Sequence, residues 1–100
     1  MTRNEFFASG GELYVCRPED PDADWDYEIF LGHLVSHQLA VQFSDCSDFL
    51  KTVPGIREVD HDDFEIITVV GSIDQHELEE LVTTYFFELL SQVPLSALQM

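Results

Sequence analysis

Positive charge is what this sequence has least of. Four bases (Arg3, Arg17, Lys51 and Arg57) stand against twenty Asp and Glu in one hundred residues, a formal net charge of -16. Nucleic-acid binding draws its affinity from Lys and Arg, so the composition excludes a direct nucleic-acid binder. An anionic membrane surface repels the chain for the same reason. Cysteine is also scarce. Cys16 and Cys46 make no disulfide framework and no Cys-x-x-Cys, and the acids around both disfavour a reactive thiolate. The longest stretch free of Asp, Glu, Lys and Arg runs from Ile29 to Ser44 and contains two His and two Gln. It falls short of the ~20 mostly apolar residues that a membrane helix needs. The N-terminal residues lack the apolar stretch of a secretory signal. Internal repeats, linkers and Gly/Ser-rich tracts are missing too. The expectation is one soluble, reduced, cytoplasmic domain over residues 1–100, in the host cytoplasm if phage-encoded.

Apolar residues at 45% and aromatics at 12% are enough for a packed core. Leu78, Leu81, Val82, Tyr85, Phe86, Leu89, Leu90 and Val93 recur at the spacing of one helical face. Asp74 is placed to cap that helix, and Pro94 to end it. Phe87 lies off the stripe and reads as a rim contact or an exposed anchor. Phe64 to Val70 is β-branched and apolar on both faces, which predicts a central strand. It forms a hairpin with Ile56 to Val59 across the polar Asp60–Asp63. A short helix is expected from Asp45 to Thr52, closed by Pro54-Gly55. Leu39 to Phe43 and Glu12 to Cys16 read as strands, with Cys16 in the core. Tyr27 to His37 fits strand or helix, and Thr2 to Ala8 one helical turn or a loose end. The predicted class is α+β: an antiparallel sheet of four to five strands, with a long C-terminal helix and a short helix packed on one face.

The acids are clustered. Glu19, Asp20, Asp22, Asp24, Asp26 and Glu28 form one tract; Glu58, Asp60, Asp62, Asp63 and Glu65 form another. Within each, alternate positions are acidic. In extended chain this sets carboxylates on one face about 6.6–6.8 Å apart, close to the spacing of phosphates along a strand. Each carboxylate can take a bidentate Arg as a phosphate does. Trp25 and Tyr27 interleave with the first tract, as aromatic anchors do at interfaces. The opposing reading makes the acids a solvated surface, with Trp25 the plug of the core.

Other constellations are thinner. His33 and His37 stand at helical i, i+4 spacing, but no carboxylate or Cys completes a metal set. Asp20-x-Asp22-x-Asp24 begins like a calcium loop, then has Trp25 and Leu31 where Gly and Glu are required. His61 sits among anions, yet nothing supplies a nucleophile, a phosphate loop or an oxyanion hole. The expectation is therefore no enzyme, no cofactor and no metal.

Charge and size point to an acidic inhibitor of the nucleic-acid-mimic, immunity-protein or phage anti-defence type. Its partner would be a basic protein, a nuclease or another nucleic-acid-binding protein, held by the two tracts and Trp25. One alternative is a small acidic chaperone or adaptor with an apolar surface at Phe87, Leu95, Leu98 and Met100. Another is an ordinary domain of a salt-adapted organism, which an even spread of acids would favour. The oligomeric state stays open, a homodimer included.

Overall fold

The computed structural model describes residues 2–32, 37–63 and 66–92, apart from the side chains of residues 37, 38, 62 and 63. Among these residues, three helices lie on one face of a four-stranded antiparallel sheet. The elements in chain order are α1 (Arg3–Ala8), β1 (Glu12–Cys16), β2 (Tyr27–Gly32), α2 (His37–Leu50), β3 (Ile56–Asp63), β4 (Ile66–Gly71) and α3 (Gln75–Leu90). The strand order is β1-β2-β4-β3, every neighbour antiparallel. This is the expected α+β architecture.

Thr2 starts α1 with a reciprocal capping box. Its hydroxyl accepts the Glu5 amide at 3.2 Å while the Glu5 carboxylate accepts the Thr2 amide at 2.8 Å. Hydrogen bonding to the Thr2 amide first, and then to its side chain, holds the Glu5 carboxyl below its usual range. The short helix then docks through Phe6, which is fully buried and meets Phe86 and Phe87 edge-on at 5.8 and 5.5 Å. Gly11 permits this, because a Cβ there would collide with the Phe6 ring. Phe87 is consequently not an exposed anchor. Phe6, Phe7 and the Arg3 guanidinium, 4.9 Å from its ring centroid, cover it.

Leu39–Phe43 is helical rather than a strand. Leu39, Phe43, Cys46 and Leu50 are all fully buried and fall at intervals of three and four, the core stripe of a helix that starts at His37. The helix expected from Asp45 is only its second half. Its last turn gives way to residues 51–55, where Gly55 takes φ +92°. Tyr27–Gly32 resolves as a strand with Tyr27, Ile29 and Leu31 inward. Asp60–Asp63 belongs to β3 rather than to a hairpin turn, and the connection at residues 64–65 lies outside the described residues.

Asp74 caps α3 as predicted, its carboxylate accepting the amides of His76 and Glu77 at 3.0 and 3.4 Å. Leu78, Val82, Phe86 and Leu90 supply the buried stripe, whereas Leu81, Tyr85 and Leu89 are half-buried at its border. Val93, Leu95, Leu98 and Met100 lie outside the described residues.

Candidate functional site

Among the described residues, the helices leave the other face of the sheet open. Val69 and Ile67 of β4 point into the core, and their partners Val59 and His61 on β3 point the same way. Strand alternation therefore turns Glu58 and Asp60 outward, opposite Val70 and Thr68. On β2 the outward residues are Glu28 and Phe30, which oppose Cys16 and Tyr14 of β1. Register aligns one row across all four strands: Cys16, Glu28, Thr68, Asp60. Two strand spacings place Glu28 and Asp60 about 9.5 Å apart. The acidic tracts, thirty residues apart in sequence, thus meet on one surface.

Trp25 is the centre of that surface. Its side chain, 36% exposed, lines two clefts at once. One, of about 640 Å³, carries Asp24, Glu58 and Asp60 over Thr68 and Val70. The other, of about 460 Å³, carries Glu19, Asp20 and Glu28 beside Tyr14 and Phe30. The last two rings stack at 5.2 Å, giving the second cleft a flat aromatic wall. Trp25 is accordingly a surface aromatic among acids, not the plug of the core.

Three of the four bases line the same clefts: Lys51 and Arg57 the first, Arg17 the second. Lys51 pairs with Asp48 at 3.6 Å. Arg17 lies 5.0 Å from the Tyr27 ring centroid and donates to its hydroxyl at 3.3 Å. Each cleft still has more carboxylates than cations, three against two and three against one.

The remaining tract residues separate by role. The segment before β2 is not extended: Asp20 Oδ1 accepts the Asp22 amide at 2.9 Å in a side-chain-closed turn, so residues 19–26 present no straight carboxylate row. Asp22 is exposed on that loop and lines neither cleft. Asp26 is half-buried, and its carboxylate accepts the Gly71 amide at 2.9 Å. Tyr27 is buried at 3% exposure and donates its hydroxyl to the Ile73 carbonyl at 2.7 Å, a core residue instead of an anchor. Asp62 and Asp63 continue β3, but their side chains, like Glu65 as a whole, fall outside the described residues.

Cys16 is half-buried on the open face rather than in the core, and burial, with Glu28 and Glu19 nearby, raises its thiol pKa. Cys46 is the core thiol. Among the described residues no group of three or more His, Cys, Asp or Glu is placed to hold a metal ion, and His33 and the His37 side chain lie outside them. Among those residues, too, no helix is long and apolar enough to cross a membrane.

Sequence reasoning missed Tyr14, Phe30, Arg17 and Arg57 as parts of this surface. Alternation along Glu12–Cys16 carried a signal for Tyr14, the outward member of a strand. Nothing local pairs it with Phe30. Comparison of the chain with protein-family models, with curated proteins and with solved structures gives no match.

Proposed function

We propose that this protein is an acidic inhibitor that lays its open sheet face, in the cytoplasm, on the basic nucleic-acid-binding surface of another protein. The observation that carries this is the gathering of Asp24, Glu28, Glu58 and Asp60 around the exposed Trp25 on the face of the sheet opposite the described helices. Carboxylates take Lys and Arg of the partner where phosphates would sit, while the indole supplies the apolar contact that fixes position. Long-range attraction speeds the encounter.

Both edges of the sheet favour docking on the face over strand addition. Gln75 Nε2 donates to the Val15 carbonyl of edge strand β1 at 3.2 Å, and edge strand β3 has register shifts at Ile56/Glu58 and His61/Asp63. Arg17, Lys51 and Arg57 break the anionic surface into patches. A matching partner therefore presents a mixed pattern, Lys and Arg at the carboxylates and polar or acidic groups at these cations.

The test captures partners from native cytosol at low and high salt, identifies them by mass spectrometry, and mixes the purified partner with a labelled duplex and increasing amounts of this protein. Displacement of the duplex, weakening as salt rises, is the expected result. A stable ternary complex with the duplex still bound would sink the mimicry.

A further inference from the structure

On the helical side of the molecule, away from the open sheet face, α2 and α3 border a groove of about 380 Å³. Its floor is Phe49, Leu81 and Tyr85, each half-buried. The Phe49 and Tyr85 rings lie parallel within 5° at a centroid separation of 4.2 Å. Glu77, Glu80 and Glu88 line the same groove. In α3, Glu77, Leu81, Tyr85 and Glu88 follow one another at intervals of four, four and three, which puts them on one stripe. At 1.5 Å per residue that stripe is about 16 Å long, three helical turns.

The charge here differs from that of the sheet face. No Lys or Arg lines the groove, whereas three of the four bases line the two clefts. Glu77 is explained by its helix, since it lies in the first turn, where the dipole favours an anion. Glu80 pairs with His76 at 3.2 Å. Glu88 has no such account. It sits in the last turn of α3, at the negative end of the dipole, and no basic residue of that turn offsets it. A charge placed against the local rule, beside an apolar floor, is a feature that a ligand explains.

We infer that this groove is a second docking surface, for a basic amphipathic helix of a partner protein. Leucine-sized side chains of that helix rest on Leu81 and the Phe49–Tyr85 pair. Lys or Arg on its flanks reach Glu77, Glu80 and Glu88, and an Arg can also lie on an exposed ring face. The occupant follows from complementarity: an acidic or uncharged helix leaves Glu88 unmatched beside the floor, and a basic segment without apolar residues leaves the floor uncovered. Nothing in this rests on the function proposed for the sheet face.

The probe is a synthetic amphipathic helix of about four turns, with Leu on one face and Lys and Arg on the other. It is titrated into the full chain while amide and methyl shifts and Trp25 fluorescence are followed. Trp25 is the chain's single tryptophan and lies on the sheet face, so its emission separates the two surfaces. The expected result is shifts centred on Phe49, Leu81, Thr84 and Tyr85 with Trp25 emission unchanged. Leu81→Ala and, independently, Glu88→Gln should each weaken binding, the first by about tenfold, with the amide spectrum otherwise preserved. Shifts centred on Trp25 and Glu58, equal binding of a Lys/Gly peptide without leucine, or self-association of this chain through the groove would each overturn the inference.

Discussion

The carboxylate of Asp26 accepts the backbone amide of Gly71 at 2.9 Å, joining the segment that enters β2 to the end of β4. Gly71 is itself pressed against β3, since a Cβ there would collide with the Gly55 carbonyl. An acid in the middle of an acidic tract is thus a structural tie. Asp26→Ala should lower stability by about 1.5–3 kcal/mol, the range for a hydrogen bond to a charged group. Asp22→Asn and Asp24→Asn should be neutral or slightly stabilising, because they relieve self-repulsion. Thermal melts of the three variants decide it, and equal midpoints would remove the structural role of Asp26.

Phe86 and Leu81 share the α3 periodicity but not its burial. Phe86 is fully enclosed and meets Phe6, Phe43 and Phe87 edge-on, while Leu81 borders the groove. Phe86→Ala should cost about 3–5 kcal/mol and bring a domain this small near unfolding. Leu81→Ala should cost about 1–2 kcal/mol, as it buries less area. Urea denaturation midpoints give the comparison.

His61 points inward from β3 and lies edge-on to Phe43 at 5.9 Å, and its Nε2 is buried with no hydrogen-bond partner among the described residues. Such a group costs about 1–3 kcal/mol when left unsatisfied. His61→Leu should therefore raise the melting temperature by several degrees. A lower midpoint would mean the imidazole earns its place through a contact that leucine cannot make.

Burial, helped by Asp45, pushes the Cys46 thiol up from an ordinary 9.0 to about 12. Between those values the unfolded chain releases a proton that the folded chain keeps, so stability is full below about pH 9 and falls as pH rises towards 12. The slope from this residue approaches about 1.4 kcal/mol per pH unit between those values. Cys46→Ala should be less stable at neutral pH and should lack this part of the alkaline loss. Parallel alkaline slopes for the two proteins would count against it.

Trp25 and the acids around it should separate kinetically once a partner is in hand. Neutralising Glu58 and Asp60 should slow association and flatten its salt dependence, because exposed charges act by steering. Trp25→Ala should chiefly raise the dissociation rate, as loss of a packed aromatic anchor does. Surface plasmon resonance across a salt series measures both rates. An unchanged dissociation rate for Trp25→Ala would remove the indole from the contact.

Local pattern was enough for some of this fold, since helix periodicity and caps act over a few residues. Asp74, Leu78, Val82 and Phe86 announce α3, Glu12–Cys16 announces β1, and the excess of acid is read directly from composition. Leu39–Phe43 reads as a strand only in a short window, and that reading is wrong. Extended to Cys46 and Leu50, the same residues show a helical stripe, which a cap assigned to Asp45 cuts in two. Tertiary structure decided what distant partners supply. Phe87 is buried because α1 folds over it. Tyr27 is core and Cys16 outward because pairing with β1 and β4 fixes which face of β2 the helices cover. Asp26 is tied because Gly71, forty-five residues on, brings an amide to it. The strand order β1-β2-β4-β3 sets Glu28 in one row with Asp60, and no local signal encodes which strands lie side by side. Charge content is a property of the sequence, but the surface on which the charges meet is a property of the sheet.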